Sequence, residues 1–147
     1  MKAGLDAVQE NDRKYLGCEM GCKVAGSVNL DEAYRVANPY SNRWDYGVGF
    51  SVGKEEFATW IEPHSATSER EVGVMVRKLT WLKDKLSTAE YSELLAMTEK
   101  TGKNGYRKYW WVAPGRIGFR KGTSSARQLS IAGLNFPSKD MRIGAKE

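Results

Sequence analysis

Residues 44–50, Trp-Asp-Tyr-Gly-Val-Gly-Phe, alternate without interruption between large apolar side chains and small or acidic ones. A period of two belongs to a strand, and here it puts Trp44, Tyr46, Val48 and Phe50 on one face and Asp45, Gly47, Gly49 and Ser51 on the other. The two glycines leave room on the second face for a helix or a ligand to come close. Gly53-Lys54-Glu55-Glu56 reads as a turn and Phe57 to Ile61 as a partner strand, so a hairpin is expected. The stretch that follows supplies a cover for it. Ser68-Glu69-Arg70-Glu71 has the pattern of a capping box, and Val72, Met75, Val76, Leu79, Leu82 and Leu86 recur at helical spacing, with Arg77, Lys78 and Lys85 assigned to the opposite, polar side. A hairpin followed by a long amphipathic helix calls for an α/β (α+β) domain in which the helix packs on the sheet.

The remaining elements fit around that unit. Residues 3–16 read as a first helix, with Leu5, Val8, Tyr15 and Leu16 available for packing and Gly17 as its stop. Asn29 can cap a short second helix and Glu32 can reach back from the third position; that helix ends before Asn38-Pro39. Pro63 marks the end of its strand or an edge position. A further helix opens at Ser87 and runs to about Glu99, a strand covers residues 107–113, and Pro114-Gly115 turns the chain into a return strand over 116–119. Ser124 or Ser125 caps a last helix that Gly133 ends, before Pro137 and a polar tail. The expected result is a single domain over residues 1–147, with a small mixed or antiparallel sheet of about four strands.

The 147 residues are enough for a core without disulfides or metals. No apolar run approaches the roughly 20 residues needed to span a bilayer, and the first residues lack the apolar centre of a signal peptide. A cytoplasmic protein without a membrane partner is the expectation. Cys18 and Cys22 stand four apart with no second Cys or His pair, whereas a structural zinc site needs about four ligands; two reduced thiols are expected.

Charge is distributed unevenly. Residues 1–99 carry 12 Lys/Arg and 16 Asp/Glu, a net of −4, while residues 100–147 carry 11 Lys/Arg and two acids, a net of +9. Lys103, Arg107, Lys108, Arg116, Arg120 and Lys121 are interleaved with aromatics, Trp110 among them, in a stretch from Lys100 to Lys139 that has no acid. Basic residues among aromatics can neutralise phosphates and stack on bases, so a nucleic acid, DNA or RNA, is the expected partner. An acidic protein partner is the alternative.

Near the turn between the hairpin and the long helix stand an acidic pair and the only histidine. Glu62 and His64 share a strand face, and Asp45 at the start of the neighbouring strand can join them. An acid on one strand followed by an acid two residues before a basic group on the next resembles the PD-(D/E)xK nuclease superfamily, over roughly residues 30–113. The resemblance implies a metal-dependent nuclease with Asp45 as the first acid, Glu62 as the second, His64 in the lysine position, and Glu32 or Asp31 as the extra helix acid of some members. In this sequence histidine replaces the lysine, Pro63 fills the middle position, and no proline precedes Asp45. The resemblance implies Mg²⁺ or Mn²⁺, held by Asp45, Glu62 and Glu32, since both ions prefer oxygen ligands. Two other readings stay open. One is a non-catalytic binding module using the basic and aromatic residues. The other is a metal-independent, toxin-type ribonuclease with Glu62 and His64 as base and acid.

Overall fold

The computed structural model describes residues 1–146. Its elements run β1 (Lys2–Ala3), α1 (Glu10–Arg13), β2 (Leu16–Cys18), β3 (Cys22–Asn29), α2 (Leu30–Tyr34), β4 (Tyr46–Val52), β5 (Glu55–Pro63), α3 (Arg70–Leu86), α4 (Ser92–Lys103), β6 (Tyr109–Val112), α5 (Ser124–Ala132) and β7 (Met141–Ile143). The expected hairpin is β4 and β5, paired antiparallel from Tyr46 opposite Ile61 to Val52 opposite Glu55. It forms the centre of a five-stranded sheet in the order β1-β3-β4-β5-β6. Only the β5–β6 pair is parallel, because α3 and α4 carry the chain back across the sheet between those strands. The fold is α/β, as expected, with five strands in the main sheet where about four were expected.

Cover on both faces explains the strand compositions. On one face α3 packs Leu79, Leu82 and Leu86, α5 packs Leu129, and α4 adds the half-buried Leu94 and Leu95, around Trp60, Tyr109 and Trp111. On the other, Tyr46, Val48, Phe50, Phe57, Ile61, Trp110 and Val112 meet Val8, Met141 and Ile143. The four residues of β6 are therefore all buried, alternating between the two cores. The second core is closed by a two-stranded parallel sheet in which Leu16–Cys18 runs beside Met141–Ile143.

Gly47 shows what the alternation was for. It lies opposite Trp60, and a Cβ there would come within 2.4 Å of the indole ring. The ring lies over the bare backbone, and its Nε1 donates to Thr98 Oγ1 of α4 at 2.8 Å. Trp44 departs from the expected face. It precedes the first paired residue of β4, and it packs in the helix-side core with Trp60 and Tyr109 instead of with Tyr46.

Several expected elements differ. The first helix over 3–16 is replaced by β1, the four-residue α1 and β2, and β3 occupies a stretch between Gly17 and the Asn29 cap for which no element is expected. The 116–119 return strand is an irregular segment: Gly118 N donates to Ala66 O at 2.8 Å and Phe119 tucks against Trp111. The polar tail contains β7. Asn29 does cap α2, its Oδ1 accepting from Glu32 N at 2.9 Å, but the helix ends at Tyr34. The helix read as capped by Ser124 or Ser125 is capped by Thr123 and closes on Gly133 at φ 92°.

Candidate active site

Continuing the β4–β5 register one step beyond Tyr46 and Ile61 sets Asp45 opposite Glu62. The two meet at that end of the hairpin, where Asp45 N donates to Glu62 Oε1 at 2.7 Å. From α3, Lys78 Nζ reaches Glu62 Oε2 at 2.6 Å. Glu62 is only 1% exposed, so an anion has been carried into the core and given one cation and one N–H. Burial and the Asp45 charge push its carboxyl up to about 8, against the pull of Lys78. Asp45 is half-buried and burial pushes it up to about 6. Its carboxylate accepts no hydrogen bond from any described residue.

Lys78 is the residue that the sequence reading misplaced. It was assigned to the polar side of α3, yet it lies three residues after Met75 and four before Leu82, both fully buried. That spacing places it on the edge of the apolar stripe, and it is the signal that would have found it. Its stem packs inward and its ammonium meets the one carboxylate inside the core.

His64 stands two residues beyond Glu62, just past the end of β5, where its N–H donates to Val112 O at 3.0 Å. Its imidazole Nε2 donates to Glu71 Oε2 in the first turn of α3. Glu71 thus closes no capping box; the residue at the helix start makes no side-chain cap bond. A shallow cavity of about 300 Å³ opens beside the imidazole, lined also by Ser65, Thr67 and Arg116.

The helix acids do not join this set. Asp31 is held by Arg35 at 2.9 Å and Arg43 at 3.0 Å. Glu32 is exposed on α2, and among the described residues no three His, Cys, Asp or Glu side chains gather where they could hold a metal. The expected metal set of Asp45, Glu62 and Glu32 therefore does not gather at one point among the described residues. The toxin-type ribonuclease reading also meets an obstacle. Its general base, Glu62, is sealed from solvent and tied to Lys78, out of reach of a substrate hydroxyl.

The basic residues separate into groups. Trp110 is 6% exposed and its ring is covered by the Arg107 guanidinium at 4.1 Å, so it offers no stacking surface to a base. Lys108 lies over Tyr109 at 5.5 Å, and Lys103 is exposed on the last turn of α4. Arg116 lines the cavity beside His64, Arg120 is exposed in the following loop, and Arg107 and Lys121 line a separate cleft. Cys18 and Cys22 are free thiols, and burial, with Cys18 beside it, pushes Cys22 up to about 12, far from a reactive thiolate.

No family model, curated protein or solved structure matches this chain. No helix of the described residues is long and apolar enough to cross a membrane.

Proposed function

We propose that the protein is a metal-assisted phosphodiester hydrolase acting on nucleic acid, with Asp45 and Glu62 as its carboxylate pair. One observation carries the reading. Asp45 and Glu62 meet at one end of the β4–β5 pair, Asp45 N donating to Glu62 Oε1, and the Asp45 carboxylate accepts no hydrogen bond from any described residue. A carboxylate raised by burial and left uncommitted suits a cation. Mg²⁺ is commonly held by one or two carboxylates and keeps several waters, so Asp45, the open one of the pair, would hold Mg²⁺ or Mn²⁺ largely through waters, with the sealed Glu62 behind it. Bound there, the ion supplies Lewis acidity at a phosphoryl oxygen and lowers the pKa of a water.

The chain's own residues have distinct roles in this reading. Asp45 offers the open oxygens. Glu62 is fixed, its Oε1 by the Asp45 N–H and its Oε2 by Lys78, with lone pairs left over, since a carboxylate has about four acceptor positions. Lys78 makes the buried charge of Glu62 tolerable and takes the place that the resemblance gave to His64. His64, whose Nε2 meets Glu71 Oε2, brings a second ring nitrogen, Nδ1, for proton exchange with water beside the cavity. Arg116, across the small cavity, brings a guanidinium to a phosphate oxygen.

The test is cleavage of plasmid, single-stranded DNA and structured RNA in Mg²⁺, Mn²⁺ or EDTA. Metal-dependent cutting that falls at least about a hundredfold in Asp45→Asn is expected, the usual size for losing one electrostatic group at a reacting phosphate. Cutting that persists in EDTA and ignores Asp45→Asn would sink the reading. Salt-sensitive binding without cutting would instead leave Glu62 and Lys78 as a structural pin inside a binding module.

A further inference from the structure

The glycines of β4 have a use that packing does not exhaust. Gly47 makes room for Trp60, but a Cβ on Gly49 would meet nothing nearer than the carbonyl oxygens of Gly26 and Phe57, at 3.9 and 4.0 Å. α4 is tied to β5, through Thr98 on Trp60 and Thr101 on Ala58. Beside it, over the helix-side face of β3 and β4, a cavity of about 550 Å³ opens. Gly26, Gly47 and Gly49 give it a floor without side chains, and Trp60, Leu94 and Met97 stand in its wall. Small-molecule sites have this size, about 300–1,000 Å³, and a mainly apolar lining of this kind. Methionine adds adaptability, because its unbranched thioether fills irregular shapes.

The charged side chains of the wall have one sign. Glu56 on β5, Glu90 in the 3₁₀ turn Ala89–Tyr91 ahead of α4, and Glu93 in the first turn of α4 line the cavity, and no Lys, Arg or His does. Among the described residues none of the three makes an ion pair or a side-chain hydrogen bond. The neighbouring Glu55, outside the cavity, does meet Lys100 at 3.7 Å. The chain as a whole has a net charge of +5, so an all-acidic wall is a local departure. A concave surface lined by one sign of charge concentrates the opposite ion. The three acids do not gather closely enough for a metal, so the cation they suit is one carried by an apolar body. Trp60 and Tyr91 add aromatic surface, which an ammonium also favours.

We infer that this cavity binds a small organic cation, with its aromatic or alkyl body over Gly47 and Gly49 and its ammonium toward Glu56, Glu90 and Glu93. Asp45 and Glu62 lie outside the cavity, so the inference does not rest on the hydrolase reading. The ligand it selects is opposite in charge to a nucleic acid.

Three probes with one apolar body separate charge from burial: 4-phenylbutylamine, 4-phenylbutanol and 4-phenylbutyrate, which are cationic, neutral and anionic at pH 7. Each is titrated into the full chain labelled with ¹⁵N, and the amides of Gly47, Gly49, Leu94 and Met97 are followed by NMR. The amine is expected to shift these amides saturably with a Kd of about 1 mM, ordinary for a probe of its size. The alcohol should bind about tenfold more weakly, the sum of three modest contacts to exposed carboxylates, and the butyrate not measurably. Glu90→Gln with Glu93→Gln should weaken the amine about fivefold and leave the alcohol unchanged. Gly49→Val fills the cavity from its floor without displacing a side chain, and a β-branched residue suits a strand. That variant should fold and lose binding of both amine and alcohol. Equal affinity for all three probes, shifts that never saturate, or binding that ignores Gly49→Val would overturn the inference. So would movement of the same amides on dilution of the protein alone, because a second copy would then cover the cavity.

Discussion

At the scale of single residues, Asp45 carries two opposed effects. Burial raises its carboxyl from an ordinary value near 3.8 to about 6. Between those values the folded protein holds a proton that the unfolded chain has released, so stability declines as pH rises through about 4 to 6 and the penalty is complete above that window. A shift of that size corresponds to about 3 kcal/mol, and access of water to the half-buried group reduces it to about 2. Asp45→Asn is therefore expected to be more stable than the unmodified protein by about 2 kcal/mol at pH 8, and indistinguishable from it near pH 3. Urea unfolding at the two pH values checks this; equal stability at pH 8 would show that burial does not penalise the charge. Activity should run the other way, because a cation is attracted by ionised carboxylates: cutting should begin to fall as pH drops through about 8, where Glu62 takes up a proton, and be lost below about 6, where Asp45 does. Asp45, Glu62 and His64 stand out in the sequence as two acids and the single histidine at the end of the expected hairpin, although Asp45 and His64 lie just outside the paired strands. Lys78 could not be picked so directly, since a lysine beside an apolar stripe is ordinarily a solvated flank, and only the strand packed beneath it reveals the buried acid it meets.

At the scale of elements, the short β6 leaves part of β5 without a strand neighbour. Pairing with β6 begins at Trp60, and the preceding Ala58 would present a bare N–H and C=O to the core. Thr101, at the end of α4 and fully buried, fills the place: its Oγ1 accepts from Ala58 N at 3.1 Å and donates toward Ala58 O at 2.8 Å. The hydroxyl proton is shared with Met97 O at 2.7 Å, so the helix and the strand compete for one donor. Thr101→Val keeps the shape and deletes the bridge, and should cost about 2 kcal/mol by stranding buried backbone groups. Thr101→Ser, which keeps the hydroxyl, should recover most of it; a valine variant as stable as the parent in chemical denaturation would refute this account. The same scale shows what could be read beforehand. The helix α3 and the β4–β5 hairpin are legible because their apolar periods are long and unbroken, and α5 because polar cap residues open it and Gly133 closes it. β3 is not, because its register shifts between Val24 and Gly26 and the alternation breaks there. β2 and β7, three residues each, are too short to show a period and exist through their pairing with each other.

At the scale of the molecule, one sheet separates two cores, and the second core is assembled from the two ends of the chain. Residues 16–18 and 141–143 pair across nearly the full length of the sequence, and Met141 and Ile143 pack beneath them on Phe50, Ile61 and Trp110. β4, β5 and β6 contribute side chains to both cores, so loss of either face exposes the other side of the same strands. Unfolding should accordingly be a single cooperative event. Ile143→Ala tests this at the end of the chain: the residue is fully buried, and its truncation should cost about 3 kcal/mol. Tryptophan fluorescence reports mainly on the helix side, where Trp44, Trp60 and Trp111 are buried, whereas far-ultraviolet circular dichroism reports on all elements. In Ile143→Ala both signals should shift together to lower denaturant with coincident midpoints. A circular dichroism transition that precedes the fluorescence one would mean that the terminal strands melt as a separate unit. The carboxylate pair would then depend only on the helix-side half of the molecule, where Lys78 and Trp60 hold its strands in place.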